Sequence, residues 1–254
     1  MTFLDNRFAA RLRRGESVIG VSVGTLHPSL VQMCGYAGYD YLIIDNEHGP
    51  ASVERTGEMI IVAKSAGITP VVRTFENDIA RLLDAGAGGI QVPLVETAEQ
   101  AARIVAACRY PPVGTRSVAF STPAAGYGYF GGPAHVERSN EAIAVILMIE
   151  TARAVENLDE ILQVPGIDAI CLGPTDMSYS LGVPGQGKHP KVLAAIEECV
   201  RKCRAADVSV GMAAFTPEDF RHNVAMGMRN HSVMLTFLLT RALNDSLAQM
   251  RANS

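Results

Sequence analysis

Residues 144–176 read AVILMIETARAVENLDEILQVPGIDAICLGPTD, and this stretch decides the fold. An apolar run from Ala144 to Ile149 ends on Glu150. A second, Ala169 to Leu172, runs into Gly173-Pro174-Thr175-Asp176. Between them, residues 152–163 carry a helical pattern of apolar positions. A strand–helix–strand unit of this kind is parallel, so both strand exits lie on one rim of the sheet. Two carboxylates, Glu150 and Asp176, therefore arrive on the same rim as hard oxygen ligands, which suits a divalent cation such as Mg²⁺ or Mn²⁺. Each acid alone reads equally well as a helix cap or a solvated loop residue, and Thr175 to Ser178 has the composition of a cap. Their pairing on adjacent units favours ligation.

The alternation continues on both sides. Strand-like runs fall at residues 18–23, 41–44, 69–72, 89–92, 145–149, 169–172 and 208–212, with a weaker eighth at 231–235. Helical patterns lie at 28–37, 52–66, 79–85, 98–108, 152–163, 191–206, 217–226 and 237–250. Eight βα units in 254 residues, without a break in composition or a Pro- or Ser-rich linker, predict one α/β domain folded as a (β/α)₈ TIM barrel. An N-terminal helix with Phe3, Leu4, Phe8 and Leu12 on its inner face precedes it, and Arg7, Arg11, Arg13 and Arg14 form the outer face. Two loops, residues 110–137 and 175–190, are long enough to act as lids, ligand loops or subunit contacts.

Composition excludes several classes. The chain is 48% hydrophobic and 19% charged, which supports a large core. A net charge of −4 gives no basic surplus for nucleic acid. No stretch has the length and apolarity of a membrane span, and the first residues lack a signal-peptide core. Five scattered cysteines read as free thiols in a reducing cytoplasm. Lys64, Lys188, Lys191 and Lys202 all lie off the predicted strands, which argues against an imine mechanism. The last two strand ends lack the glycine-rich turns of a phosphate site.

In a barrel, the polar residues at the strand exits converge on the C-terminal rim. After the second strand these are Asp45, Glu47 and His48; after the third, Arg73; after the fifth, Glu150; after the sixth, Asp176. A lone histidine is usually structural, but His48 between acids on a site loop can serve as a general base near neutral pH. Arg73 is either an ion-pair partner or a planar fork for a carboxylate or enolate oxygen.

The segments around residues 39–50, 70–73, 82–86, 91–95 and 109–116, with Ile149-Glu150 and residues 173–178, resemble the HpcH/HpaI family of class II pyruvate aldolases. The resemblance runs in order over roughly residues 18–206. It implies a metal-dependent lyase that reversibly cleaves a 4-hydroxy-2-oxo acid to pyruvate and an aldehyde through a metal-stabilised enolate. By position, Glu150 and Asp176 would hold the cation: Mg²⁺, Mn²⁺ or Co²⁺. His48 would lie near the base, with Asp45 and Asp84 in its supporting network. Arg73 would meet the ketone or enolate oxygen, and Gly173, Pro174 and Thr175 would present backbone groups to the pyruvate carboxylate. It further implies a homo-oligomer, a hexamer or trimer of dimers. The C-terminal helix either exchanges between subunits or packs on its own barrel.

Three departures stand out. Met148 occupies a substrate-facing position where relatives commonly carry glutamine, Ser117 replaces a glycine, and residues 233–236 depart from the family's turn. Two other readings remain at this point. One is a barrel lyase acting on a CoA thioester, with Arg109 and Arg116 as the basic residues, or on oxaloacetate as a decarboxylase. The other is a non-catalytic ligand-binding barrel.

Overall fold

The computed structural model describes residues 7–252, so Phe3 and Leu4 of the expected N-terminal helix lie outside it. In chain order the elements are α1 (Arg7–Arg13), β1 (Val18–Val23), α2 (Pro28–Tyr36), β2 (Tyr41–Asp45), α3 (Val53–Ser65), β3 (Thr69–Arg73), α4 (Ile79–Asp84), β4 (Gly89–Val92), α5 (Ala98–Cys108), α6 (Pro133–Ala142), β5 (Ala144–Ile149), α7 (Ala152–Glu156), α8 (Leu158–Ile161), β6 (Ala169–Leu172), α9 (Pro174–Ser180), α10 (Pro190–Ala205), β7 (Ser209–Met212), α11 (Pro217–Ala225), β8 (Asn230–Met234) and α12 (Leu235–Ala252). The eight strands are parallel neighbours in the order β7-β6-β5-β4-β3-β2-β1-β8, which is the expected barrel. The β7–β8 seam is narrower. A bridge from Ala213 to Ser232 and the Arg229 N–H on the Val210 carbonyl, 2.9 Å, draw it together. Gly211 permits that approach, because a Cβ there would stand 1.3 Å from the Asn230 carbonyl oxygen.

Strand parity divides the buried side chains into two cores. Val21, Val23, Leu42, Ile44, Val72, Ile90, Val145, Leu147, Ile170 and Val210 point outward against the helices. Val18, Tyr41, Ile43, Val71, Ala144, Ile146 and Ala169 point inward, and α1 plugs the lower end with Phe8, Ala9 and Leu12. The Tyr41 hydroxyl satisfies itself inside the barrel by donating to Asn230 Oδ1 at 2.6 Å.

The arginines of α1 do more than face water. Arg13 Nε reaches the buried Asp168 at 2.6 Å, and Arg11 pairs with Asp40, so both tie the plug to the barrel floor. Helix starts follow local chemistry. Ser52, Thr97 and Thr151 accept the backbone N–H three residues on, and Thr216 with Asp219 forms a capping box. The helix expected at 152–163 is broken. Asn157 leaves helical geometry between α7 and α8 and donates from Nδ2 to the Glu96 carbonyl at 2.8 Å. The expected loop at 175–190 opens with α9, and α6 occupies the end of the 110–137 loop.

Among the described residues no helix is long and apolar enough to cross a membrane. All five cysteines are free.

Candidate active site

Parity and register build the mouth of the barrel. Asp45, Arg73 and Gln91 are register partners on β2, β3 and β4, and all three face inward. Glu150 continues the inward face of β5 beyond Met148. Asp176 sits in the first turn of α9, exposed at the rim.

Arg73 is the hub. Its Nε donates to Asp45 Oδ1 at 2.9 Å and its Nη2 to Asp45 Oδ2, a bidentate clamp. Its Nη1 lies 3.2 Å from Glu47 Oε2. Asp45 also accepts the backbone N–H groups of Glu47 and His48, at 3.1 and 3.2 Å. Burial pushes the Asp45 carboxyl upward, but the Arg73 bonds and these amides outweigh it and hold the group below the usual range. With three N–H groups on Oδ1 and one on Oδ2, Asp45 shapes the loop and aims Arg73.

Glu150 is the opposite case. Only 3% exposed, it accepts the Leu94 N–H on Oε1 at 2.7 Å. Burial raises its carboxyl to about 7, and repulsion from Glu47 and Asp176 adds to this against Arg73 and the Leu94 amide. Glu47 is raised in the same way, by burial first and then by Asp45 and Asp176. Three acids that repel one another at a barrel mouth carry more negative charge than the one guanidinium, Arg73, offsets. Glu150 and Asp176 offer hard oxygens of the kind a divalent cation takes. Among the described residues no group of three or more His, Cys, Asp or Glu side chains is placed to hold a metal ion. A cation would rest on Glu150 and Asp176, with positions left for ligand oxygens.

Leu94 holds φ at +54°, a left-handed conformation uncommon outside glycine. That turn aims its N–H at Glu150, an instance of backbone strain at a functional site. Gly173 lets the chain pass close on the other side, since a Cβ there would stand 2.4 Å from Glu150 Oε2.

The remaining expected residues divide. His48 is at the rim, 66% exposed, with Nε2 3.7 Å from Glu47 Oε2. Pro174 and Thr175 start α9, where the N–H groups of Thr175 and Asp176 have no intrahelical acceptor. Met148 faces inward beneath Glu150, and its sulfur receives the Gln91 Nε2–H at 3.1 Å. Asp84 is bound elsewhere, with Oδ1 accepting from Arg116 Nη2 at 2.6 Å. Arg116 is itself buried over the Tyr110 ring, 4.3 Å from its centroid. Arg109 is buried beside Asp168 at the N-terminal end of the barrel. Neither arginine lines the rim, so a CoA site loses its basic residues.

Sequence reading assigned no role to Leu94 or Gln91 and treated Glu47 only as a flank of His48. Glu47 was accessible by counting from the end of β2. A glutamine at an inward position of an apolar strand was a signal for Gln91. The Leu94 geometry has no sequence mark.

Fold and rim together define a (β/α)₈-barrel enzyme with an acidic mouth. Over residues 19–235 the sequence matches the HpcH/HpaI aldolase/citrate lyase family, and the chain belongs to it. It is a carbon–carbon lyase of the pyruvate aldolase class. A 2-keto-3-deoxy-L-rhamnonate aldolase of Salmonella paratyphi B is 36% identical, over 98% of this chain and 94% of that one. A solved HpcH/HpaI aldolase/citrate lyase family protein from Burkholderia cenocepacia J2315 superposes with TM-score 0.93 at 31% identity, covering 97% of this chain and all of that one (100%). The structure of citrate synthase SbnG aligns with TM-score 0.88 at 31% identity, covering 98% and 99% of the two chains.

Proposed function

We propose that the protein is a divalent-cation-dependent aldolase that cleaves a 4-hydroxy-2-oxo acid reversibly to pyruvate and an aldehyde. The favoured substrates are 2-keto-3-deoxy sugar acids, the class named for the Salmonella relative. The observation that carries the reading is Glu150, a buried carboxylate at the barrel mouth repelled by two other acids, Glu47 and Asp176.

Bound to Glu150 and Asp176, a cation would supply Lewis-acid stabilisation of negative charge on the substrate's ketone oxygen. The chain's own groups divide the remaining work. The unpaired N–H groups of α9 receive the substrate carboxylate at a helix N-terminus. Arg73, held rigid by Asp45, directs its remaining N–H groups at the developing enolate oxygen. His48 takes the C4 hydroxyl proton, the C3–C4 bond breaks, and its electron pair becomes the enolate of pyruvate while the aldehyde leaves. Reprotonation at C3 completes release. Asp84, bound to Arg116, supports the wall beneath the 110–137 loop rather than His48 within one subunit. The test is pyruvate formation from a panel of 2-keto-3-deoxy sugar acids. Chelator should abolish it and Mg²⁺, Mn²⁺ or Co²⁺ should restore it; turnover indifferent to chelator would sink the reading.

The same reading includes a homo-oligomer in a reducing cytoplasm. Helix α12 spans 18 residues and buries none of them within the subunit. It leaves Phe237, Leu238, Leu239, Leu243, Leu247 and Met250 exposed, more contiguous apolar surface than a monomer carries in water. A second copy covers this face. Light scattering should show a hexamer or trimer of dimers, and Leu243→Asp with Leu247→Asp should shift it to smaller species. A wild-type monomer would contradict this.

A further inference from the structure

One buried polar group in the barrel lacks a use. Gln91 is 4% exposed on the inward face of β4, between Arg73 on β3 and Ile146 on β5 and above the apolar floor of Val71 and Ala169. Its backbone is fixed, the carbonyl accepting the Thr74 N–H at 3.0 Å. The partner of its side-chain donor is the Met148 thioether, a weak acceptor. Burying an amide against so poor a partner leaves much of its desolvation cost unreturned. A position serving only packing would hold leucine or methionine.

Its placement explains the exception. Gln91 lies beside Arg73 in register, and its contact Met148 lies two residues below Glu150 on the neighbouring strand. The acids that act on one another at the mouth above it, Asp45, Glu47, Glu150 and Asp176, are acceptors when ionised. Of Arg73's five N–H groups, three are committed to Asp45 and Glu47, leaving two. An oxyanion entering this acidic mouth needs more donors than Arg73 has free. The Gln91 amide supplies them from the floor, exchanging a thioether for an oxygen.

We infer that Gln91 is a substrate-contacting residue whose amide donates to an oxygen of the bound 2-oxo acid, with Met148 as its resting acceptor. This rests on the pyruvate-site reading above. The probe is pyruvate, titrated by calorimetry into the Mg²⁺-loaded enzyme, with thermal melting as the check on folding. Gln91→Met matches volume and keeps the floor apolar. It should weaken pyruvate binding about 10-fold or more, as expected for loss of a hydrogen bond to a charged group, with little change in melting. The exchange Gln91→Met with Met148→Gln returns an amide to the same contact from β5 and should recover affinity to within about 3-fold of wild type. If Gln91→Met binds pyruvate as wild type does, or the exchange recovers nothing, the assignment is wrong. Should Gln91→Met fail to fold, Gln91→Glu replaces donor with anion at equal size; it should show no measurable binding, and wild-type affinity there overturns the proposal. Failure of the wild-type enzyme to bind pyruvate at all would instead strike the functional reading.

Discussion

Glu150→Gln should lower retro-aldol kcat/KM by about 10³-fold or more while leaving the metal-free protein at least as stable as wild type. The first figure follows from losing several kcal/mol of cation-dependent charge stabilisation, at 1.36 kcal/mol per decade. The second follows from electrostatics. Burial pushes the wild-type carboxyl from its ordinary 4.5 up to about 7, because the fold disfavours its charge. A carboxyl raised in the folded state contributes stability below about pH 4.5, and that contribution is lost as pH rises through 7. Glutamine carries no charge at any pH and still offers Oε1 to the Leu94 N–H, so it escapes this penalty. Cation binding needs the carboxylate, so wild-type uptake should release a proton below about pH 7 and progressively less above it. Calorimetry in buffers of different ionisation enthalpy measures that release, and Glu150→Gln should abolish it. An active Glu150→Gln enzyme, or one that melts far below wild type, would show that the residue is structural.

How much of this was legible in the sequence depends on range. β-branched runs placed every strand to within a residue or two, because strand formation here is a local consequence of burial on both faces. Parity then brought Asp45, Arg73, Glu150 and Asp176 to one rim without any knowledge of contacts. What escaped was set by partners distant in sequence. The helix over 152–163 breaks because the Asn157 side chain finds the Glu96 carbonyl, 61 positions away. Asp45 reads as support for His48, and the β2–β3 register also places it on Arg73, a partner 28 positions away. Arg109 and Arg116 look alike in sequence, and burial beside Asp168 and Asp84 respectively makes both structural. Met148 reads as the loss of a polar residue, whereas across the strand gap it faces the amide of Gln91.

The Asp45–Arg73 lock leads to the second large effect. Arg73→Ala should cost about 3–5 kcal/mol of stability at pH 8, because it strands two buried carboxylates without their counter-charge. The Asp45 side chain is 5% exposed and that of Glu47 is 11%, so water screens neither well. Removing the guanidinium leaves burial opposed only by the Glu47 and His48 amides, so the Asp45 pKa should move upward. The pH dependence at this residue shifts toward that of a buried, unpaired acid. In wild type, the Asp45 contribution is present above about 3.8 and is lost as pH falls through its lowered folded value. In Arg73→Ala the stranded acids regain stability as they protonate, so the deficit should narrow between pH 8 and pH 5. Urea denaturation at the two pH values measures the difference. Activity should fall by about 10²–10³-fold at pH 8, the size expected for losing a donor aimed at a developing oxyanion. Arg73→Lys separates the two roles. It keeps a positive charge and most of the stability, but a single ammonium cannot reproduce the two-pronged bond to Asp45 and also reach the substrate. A lysine variant with wild-type turnover would mean that charge alone suffices at this position. An alanine variant whose deficit is the same at both pH values would mean that Asp45 and Glu47 find other partners.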